Sequence, residues 1–342
     1  MRSGRRTPLA LLAAVVALVS LVSCSPDPAA DGDTTVTADP VIYPLSLRYP
    51  GIDVVEDVPY GSDALQRLDV CLPADSAPDT TATPTPSGSP TPSGSPTPEG
   101  RGGPRGGSSG RPAVVMVHGG SWSHGDKATA AYRAVCQYLA SEGFVTVNVD
   151  YRLAPTDPFP AGLDDVRRAL DWVFRPTTLS TYDVDPGRVG LFGGSAGGNL
   201  VAMTAVTDHE SAAYAAGDRV RAVVDLSGPT DLTERSTRAD GVSASFQRKQ
   251  LLYLGCRTYT DCPAAERASP GFHVTEDTPP FFIGHSTDEF IPLWESREFV
   301  ATLRSHDVSV TFVAVQGSAH SIAQLDRAMS ERVVGFLRRQ LD

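Results

Sequence analysis

A serine surrounded by glycines is the residue of this chain best suited to nucleophilic chemistry. Residues 193–197 read Gly-Gly-Ser-Ala-Gly and match the pattern G-x-S-x-G, with Ser195 at its centre. In this pattern the serine lies on a tight turn between a strand and a helix, and small neighbours leave its hydroxyl accessible. Phosphate-binding loops have other glycine spacings, which this stretch lacks. We therefore predict that Ser195 is a nucleophile, with close backbone packing as the simpler alternative.

A serine hydroxyl attacks a carbonyl efficiently only when a base takes its proton. His320 follows the last predicted strand, so it should lie at the carboxyl edge of the sheet, where functional side chains converge. His285 and His306 are the competing candidates. His285 ends a strand but precedes the candidate acid, whereas the usual order is serine, acid, histidine, and His306 ends a helix. We predict that His320 is the base.

The imidazole of such a base needs a carboxylate that fixes its tautomer. Asp288, in the segment His-Ser-Thr-Asp-Glu-Phe-Ile-Pro, follows a strand end and is predicted as this acid. Glu289 is the near rival. Because adjacent residues point in different directions, only one of the two carboxylates can serve.

The reaction also requires donors for a negatively charged oxygen. Residues 117–122 read Val-His-Gly-Gly-Ser-Trp and leave a predicted strand in a turn with little side-chain bulk. We predict that the backbone N–H groups of Gly120, Ser121 and Ala196 form an oxyanion hole. A plain Gly-Gly turn is the alternative. Trp122 could line an acyl pocket or simply pack beside the strand end.

Strand-like and helix-like stretches alternate from residue 113 onward, which predicts an α/β fold with a mostly parallel sheet and helices on both faces. Segments before residue 76 should add an antiparallel edge, giving about eight strands. Residues 229–270 interrupt the alternation and are a candidate lid over the carboxyl ends of the strands. The predicted strands are 114–117, 144–149, 188–192, 220–226, 280–283 and 308–315, and the predicted helices are 129–140, 163–173, 197–206, 295–303 and 321–341.

Residues 76–111 consist largely of Pro, Thr, Ser and Gly and are predicted to be a disordered insertion within a single domain spanning 41–342. Strand-like segments on both sides suit one sheet, so the insertion replaces a turn rather than joining two domains. A loop of this length costs about 2 kcal/mol more than a short one. Its composition would also suit O-glycosylation.

The amino terminus has the pattern of an export signal. Arginines precede an apolar run over residues 9–22, which is too short to span a bilayer comfortably. Residues 21–24 read Leu-Val-Ser-Cys, which resembles a bacterial lipobox. We predict a signal peptide over 1–23, lipidation of Cys24 and a disordered tether over 24–40. The expected location is the extracytoplasmic face of the cell membrane; a plain secretory signal is the alternative.

The charge balance argues against a nucleic-acid partner. The chain carries a formal charge of −11, and loss of the three arginines in the signal would leave 26 basic and 40 acidic side chains. Export would permit disulfides. Cys256 and Cys262 close a small loop and are predicted to form a bridge. For Cys71 and Cys136 we expect two buried free thiols, with a second bridge as the alternative.

Several motifs together resemble the hormone-sensitive-lipase-like carboxylesterases of the α/β-hydrolase fold. They are His-Gly-Gly-Ser-Trp at 118–122, Asp-Tyr-Arg-Leu-Ala-Pro at 150–155, Pro-Phe-Pro-Ala at 158–161, Gly-Gly-Ser-Ala-Gly-Gly at 193–198, Asp-Glu-Phe-Ile-Pro at 288–292, and His320. The resemblance implies ester hydrolysis through an acyl-enzyme without a metal or organic cofactor. It also implies structural roles for Asp150 and Arg152.

Two positions depart from the family pattern. Ser121 replaces the third glycine of His-Gly-Gly-Gly, which makes the turn similar to the His-Gly-Gly-x-Trp of feruloyl-type and polysaccharide-deacetylating esterases and arylformamidase-like relatives. Thr156 and Asp157 replace a frequent Glu-His pair.

The sequence therefore predicts a serine carboxylesterase for small or short-acyl esters. An amidase, formamidase or peptidase would use the same three side chains. A lipase is a further alternative, with an apolar lid around residues 246–254. A catalytically silent envelope lipoprotein that only binds ligands is the alternative from another class.

Overall fold

A nine-stranded sheet organises the domain in the computed structural model, which describes residues 1, 33–37, 39–74, 110–208, 220–239 and 242–342. The strand order is β1-β9-β8-β7-β6-β4-β5-β3-β2. Neighbours from β1 to β5 in this order are parallel, and β3 and β2 add an antiparallel edge, as predicted. The strands are β1 Asp33–Thr37, β2 Asp53–Pro59, β3 Arg67–Leu72, β4 Arg111–Val117, β5 Val145–Val149, β6 Val184–Gly194, β7 Val220–Leu226, β8 Phe281–Ser286 and β9 Val310–Gln316.

Helices cover both faces of the sheet, because its central strands are buried on both sides and rich in β-branched residues. One core layer packs under α2 and α10, and the other under α3, α5 and α9. The α-helices are α1 Tyr43–Ser46, α2 Ala130–Ser141, α3 Ala161–Val173, α4 Pro176–Tyr182, α5 Ala196–Val206, α6 Glu234–Ala239, α7 Ala244–Leu254, α8 Ala264–Arg267, α9 Leu293–Ser305 and α10 Arg327–Leu341.

Single side chains mark where the helices near the site begin. Ser243 caps α7 by accepting a hydrogen bond from the N–H of Phe246, and Asp326 caps α10 by accepting one from Met329. The predicted last helix therefore divides into a 3-10 turn, Ser321–Gln324, and α10. This break places the segment after His320 against the sheet edge instead of in a regular helix.

The segment between β7 and β8, which includes the predicted lid, is helical in its described parts. It contains α6, α7, α8 and the 3-10 turn Pro270–Phe272. A disulfide joins Cys256 to Cys262 across a Cα separation of 5.7 Å, as predicted, and closes the loop that follows α7.

Two expectations about the fold are wrong. Part of the predicted disordered tether, Asp33–Thr37, is strand β1, which pairs in parallel with β9 and extends the sheet. The expected free thiols of Cys71 and Cys136 form a disulfide, because β3 and α2 pack together and bring the two Cα atoms to 6.0 Å. Sequence separation alone could not reveal this proximity.

Several predicted segments lie wholly or mostly outside the described residues. These are the signal peptide, the lipidation site Cys24 and the insertion 76–111, of which 110 and 111 are described. Among the helices that are described, none is both long and apolar enough to cross a membrane.

Candidate active site

Ser195 lies on a strained turn between β6 and α5. Its φ of 56° falls in the left-handed region that residues other than glycine rarely adopt, and Ser195 is 6% exposed. A Cβ atom added at Gly193 would overlap the backbone of Gly197, and one added at Gly197 would overlap the carbonyl of Val117. The small residues around Ser195 are therefore required by close backbone contact on both sides of the turn. This geometry is that of a nucleophile elbow.

The predicted oxyanion turn follows β4 and runs directly against Ser195. A Cβ atom at Gly119 would lie 2.8 Å from the carbonyl oxygen of Gly194 and 3.2 Å from Cβ of Ser195. Gly120, Ser121 and Trp122 all have positive φ angles, of 133°, 50° and 56°. Backbone with these φ angles belongs to neither a regular right-handed helix nor a strand, so the chain leaves the sheet at this turn.

Two backbone N–H groups of this turn and one at the start of α5 are unpaired in the described part of the chain. Within the described ranges, the N–H groups of Gly120, Ser121 and Ala196 have no hydrogen-bond partner, whereas that of Gly119 donates to the Tyr132 hydroxyl at 2.7 Å. Unpaired N–H groups at a helix start and an adjacent turn are the arrangement expected of an oxyanion hole.

His320 lies in the loop between β9 and the 3-10 turn that follows it. Its Nδ1 forms a short hydrogen bond with Oε2 of Glu289, and its buried Nε2 has no partner among the described residues. The next residue, Ser321, places its hydroxyl so close to Gly194 that a Cβ there would overlap it. The imidazole loop therefore packs against the serine turn, with one ring nitrogen held by a carboxylate and the other unpaired.

The carboxylate beside His320 belongs to Glu289 and not to Asp288, so the predicted acid is corrected. The Glu289 side chain is 1% exposed, whereas Asp288 is exposed and accepts a hydrogen bond from the adjacent Thr287 hydroxyl at 2.9 Å. The backbone N–H of Asp288 is bound to the carbonyl of Gly317. This turn directs residue 288 to the surface and residue 289 inward.

Glu289 receives further hydrogen bonds on its second oxygen. Oε1 accepts hydrogen bonds from the Ser227 hydroxyl at 2.5 Å and from the N–H of Ser286 at 3.2 Å. Nε2 of His285 also lies 3.2 Å from Oε1, but its hydrogen bond is to the carbonyl of Ile291. His285, the rejected candidate for the base, is fully buried, and burial lowers its pKa. Ser227 was not predicted from the sequence, since a serine after a strand belongs to no distinctive pattern.

His118 and the Asp-Tyr-Arg motif support the floor of the site. His118 stacks on Tyr151 with ring centroids 4.4 Å apart, and burial lowers its pKa to about 4, so it is neutral at pH 7. Asp150 accepts a hydrogen bond from the N–H of Lys127, and Arg152 forms a two-pronged ion pair with Asp165. These contacts agree with structural roles for Asp150 and Arg152.

Aromatic side chains of α7 cover the oxyanion turn. Trp122 is buried and stacks on Tyr253, with centroids 4.3 Å apart and nearly parallel planes. Phe246 lies between Trp122 and Phe290, at centroid distances of 6.4 and 5.1 Å, and Phe290 contacts the His320 ring at 4.4 Å. Trp122 thus packs under α7, and Phe290 remains half exposed beside the imidazole.

Comparison with known proteins identifies relatives of this chain. The sequence profile of the BD-FAE family matches residues 103–303. Esterase LipC of Mycobacterium tuberculosis is 33% identical over 225 residues, which cover 64% of this chain and 54% of LipC. A second protein of that organism, the probable carboxylic ester hydrolase LipM, is 32% identical over 202 residues, covering 56% of this chain and 45% of LipM. The chain therefore spans about half the length of these curated relatives.

Solved structures share the fold. A truncated carbohydrate esterase from gut microbiota superposes with a TM-score of 0.68 at 22% identity, covering 86% of this chain and 98% of the other. A bacterial heroin esterase gives a TM-score of 0.64 at 22% identity, with 87% of each chain covered. At this identity the likeness concerns the fold alone, which is the predicted α/β-hydrolase fold.

Proposed function

Because the chain belongs to the BD-FAE family and to the hormone-sensitive-lipase-like esterases of the α/β-hydrolase fold, we propose that it is a serine carboxylesterase with Ser195, His320 and Glu289 as its triad. The observation that carries this proposal is the His320–Glu289 pair, whose free Nε2 lies in a loop packed against the Ser195 turn. The family resemblance alone does not assign the acid.

The proposed reaction begins with attack of the Ser195 hydroxyl oxygen on the ester carbonyl, while Nε2 of His320 takes the hydroxyl proton. Glu289 accepts the Nδ1–H of His320, which fixes the tautomer and stabilises the imidazolium. The N–H groups of Gly120, Ser121 and Ala196 bind the tetrahedral oxyanion.

Collapse of the tetrahedral intermediate breaks the bond to the alcohol oxygen, which receives the proton from His320 and leaves. Water then gives its proton to His320 as its oxygen attacks the acyl-enzyme carbonyl. Collapse of the second intermediate breaks the bond between the acyl carbon and the Ser195 oxygen, which takes the proton from His320, and releases the carboxylic acid.

Substitution of the proposed triad tests the assignment. We expect Ser195→Ala to lose at least about 1,000-fold in kcat and Glu289→Gln to lose roughly 100- to 10,000-fold, because a glutamine cannot stabilise the imidazolium. Asp288→Asn is the matched control and should stay within about twofold of wild type in kcat. Near-wild-type activity of Ser195→Ala would refute the whole mechanism. If Asp288→Asn were inactive and Glu289→Gln active, the acid of the triad would be Asp288 and not Glu289.

We propose small or short-acyl esters as substrates, since buried aromatic side chains of α7 cover the oxyanion turn. A panel of p-nitrophenyl esters, anilides and aryl formamides would separate an esterase from an amidase or formamidase. Labelling of Ser195 by a fluorophosphonate would separate either from a silent binding protein, which would not react.

We also propose that the protein is exported and anchored to the extracytoplasmic face of the membrane through lipid on Cys24. The support is the sequence of the amino terminus, with its short apolar run and lipobox. Metabolic labelling with an alkyne fatty acid should mark the wild type and leave Cys24→Ala unlabelled and released from membranes. Equal membrane retention of both proteins would contradict the anchor.

A further inference from the structure

Ser227 is a buried, strained residue at the end of β7. Its φ is 58°, a value that non-glycine residues rarely adopt, and its exposed fraction is 0%. Its backbone N–H donates to the carbonyl of Gly284 at 2.8 Å and holds it beside the end of β8. Such strain persists where surrounding contacts determine the conformation, and it concentrates at functional sites.

The Ser227 hydroxyl contacts both segments that carry the proposed acid and base. These are the acid loop, residues 287–292, and the histidine loop, residues 317–324, which includes the 3-10 turn. The hydroxyl donates to Oε1 of Glu289 at 2.5 Å and accepts from Nε2 of Gln324 at 2.5 Å. It also lies 3.3 Å from the N–H of Ser321, the residue that follows His320. One oxygen thus contacts the carboxylate on one side and the histidine loop on the other.

The direction of these hydrogen bonds follows from what each group can donate. The side-chain nitrogen Nε2 of Gln324 and the backbone N–H of Ser321 can only donate, so both of the hydroxyl's acceptor sites are engaged. Its single proton is then available for Glu289, and the ionised carboxylate can only accept it. The positive φ places the hydroxyl at the one point where these three partners meet.

Two further residues, His285 and Ser286, lie close to the Glu289 carboxylate. Nε2 of His285 lies 2.9 Å from the carbonyl of Ile291 and must therefore carry hydrogen, while Nδ1 accepts from the Ser296 hydroxyl at 2.7 Å. His285 and the N–H of Ser286 both approach Oε1. With the Ser227 hydroxyl and the N–H of Ser286 donating to Oε1, Oε2 is directed to His320.

We infer that Ser227 is a positioning residue of the active site, which orients Glu289 and ties the acid loop to the histidine loop; this inference rests on the proposed function. Loss of its hydroxyl removes a donor from the carboxylate and leaves two donors of the histidine loop without their acceptor. Small displacements of reacting groups cost up to about 100-fold in rate. Because Ser227 is fully buried, its hydroxyl is not placed to contact the ester, so the effect should be on kcat and not on KM.

Two substitutions of Ser227 separate positioning from stability. Ser227→Ala and Ser227→Gly both remove the hydroxyl, but glycine adopts a positive φ without strain, so the glycine variant should be the more stable of the two. We expect kcat to fall by about 10- to 100-fold in both variants, with KM within about twofold of wild type. The rate of fluorophosphonate labelling of Ser195 should fall by the same factor.

Ser236→Ala is the matched control. The Ser236 hydroxyl is also fully buried and also donates at 2.5 Å to a glutamate, Glu295, which has no part in the proposed triad. This variant should lose thermal stability and keep the wild-type kcat at a temperature where it is folded.

The outcomes distinguish failure of the inference from failure of the proposed function. If Ser195→Ala is inactive and both Ser227 variants keep the wild-type kcat, the positioning role is wrong and the triad stands. The positioning role would also be wrong if Ser227→Ala lost activity and Ser227→Gly had wild-type kcat and wild-type stability. Ser227 would then have only a structural role. If Ser195→Ala retains activity, the proposed triad itself is wrong.

Discussion

Asp288 and Glu289 differ by one position in sequence, yet the protein places one carboxylate at the surface and the other against His320. Both residues follow β8, and either could have been aimed at the imidazole. The hydrogen bond from the backbone N–H of Asp288 to the carbonyl of Gly317 fixes the turn after β8, and the longer side chain of Glu289 extends inward. Residue type alone leaves this choice open, because aspartate and glutamate are equally able to fix a histidine tautomer.

Asp225 is a second buried carboxylate below the site, and it offers a test through pH. It is fully buried at the end of β7, accepts one hydrogen bond from the N–H of Gly228, and has an unpaired second oxygen. Burial, and to a smaller extent the charge of Glu289, raises its pKa to about 7. In the unfolded chain an aspartate ionises near pH 4.

Asp225→Asn should therefore change how stability depends on pH. Since the folded pKa is raised, the contribution of this group is fully present below about pH 4 and is lost as the pH rises towards 7. The difference in unfolding free energy, variant minus wild type, should grow on the order of 4 kcal/mol between pH 4 and 8. Urea unfolding of both proteins across this range measures it, and a difference that stays constant with pH would contradict it.

At the scale of single elements, helix α7 is the part that shapes the space above the oxyanion turn. It begins at a serine cap and is followed by the Cys256–Cys262 disulfide, so both of its ends are held. Tyr253 and Phe246 project from it towards Trp122. The helix thus acts as a packed layer over the site.

Phe246→Ala should lengthen the acyl chain that the proposed esterase accepts. Removal of the ring opens space between Trp122 and Phe290, so we expect the ratio of kcat/KM for octanoate over butyrate esters to rise about tenfold. The substitution should also lower stability by about 3–5 kcal/mol, as for other buried aromatic residues. Kinetics on p-nitrophenyl esters measures the ratio.

Leu252→Ala, on the same helix, is the control for this change. Leu252 is 47% exposed, whereas Phe246 is 6% exposed, so its removal should leave the chain-length ratio unchanged. If both variants shift the ratio equally, the effect belongs to helix stability and not to the space above the turn.

At the scale of the whole molecule, the insertion between β3 and β4 is compatible with one continuous sheet. Both strands pair with β5, on opposite sides of it, so the chain must pass from one neighbour of β5 to the other. The Cys71–Cys136 disulfide ties β3 to α2 across this connection. The sheet therefore holds the two ends of the insertion in place through contacts that do not involve it.

Replacement of residues 75–109 by eight Gly and Ser residues should leave the fold and the proposed esterase activity intact. Because a shorter loop loses less entropy on folding, the unfolding free energy should rise by about 1 kcal/mol. Calorimetry and kcat/KM on a butyrate ester test this, with mass analysis to verify that both disulfides are intact. A large fall in Tm would show that the segment contributes to the folded core.

Much of the domain was predictable because its signals are local. Alternating apolar runs and helical spacing identified most strands and helices, and the glycines around Ser195 and at residues 119–120 identified two turns whose backbones leave no room for side chains. The order of serine, acid and histidine along the chain pointed to His320. These features depend on neighbours in sequence, so the sequence by itself determined them.

Other features depend on which segments meet in space, and only the tertiary structure decided them. The pairing of β1 with β9, the Cys71–Cys136 bridge and the choice of Glu289 over Asp288 each join residues that no local pattern relates. Ser227 is the clearest example, since its hydroxyl has these hydrogen-bond partners only where β7, the acid loop and the histidine loop meet in the folded protein. The direction of a side chain at a turn is set by hydrogen bonds between residues that are far apart in sequence, and no spacing within a single sequence predicts these bonds.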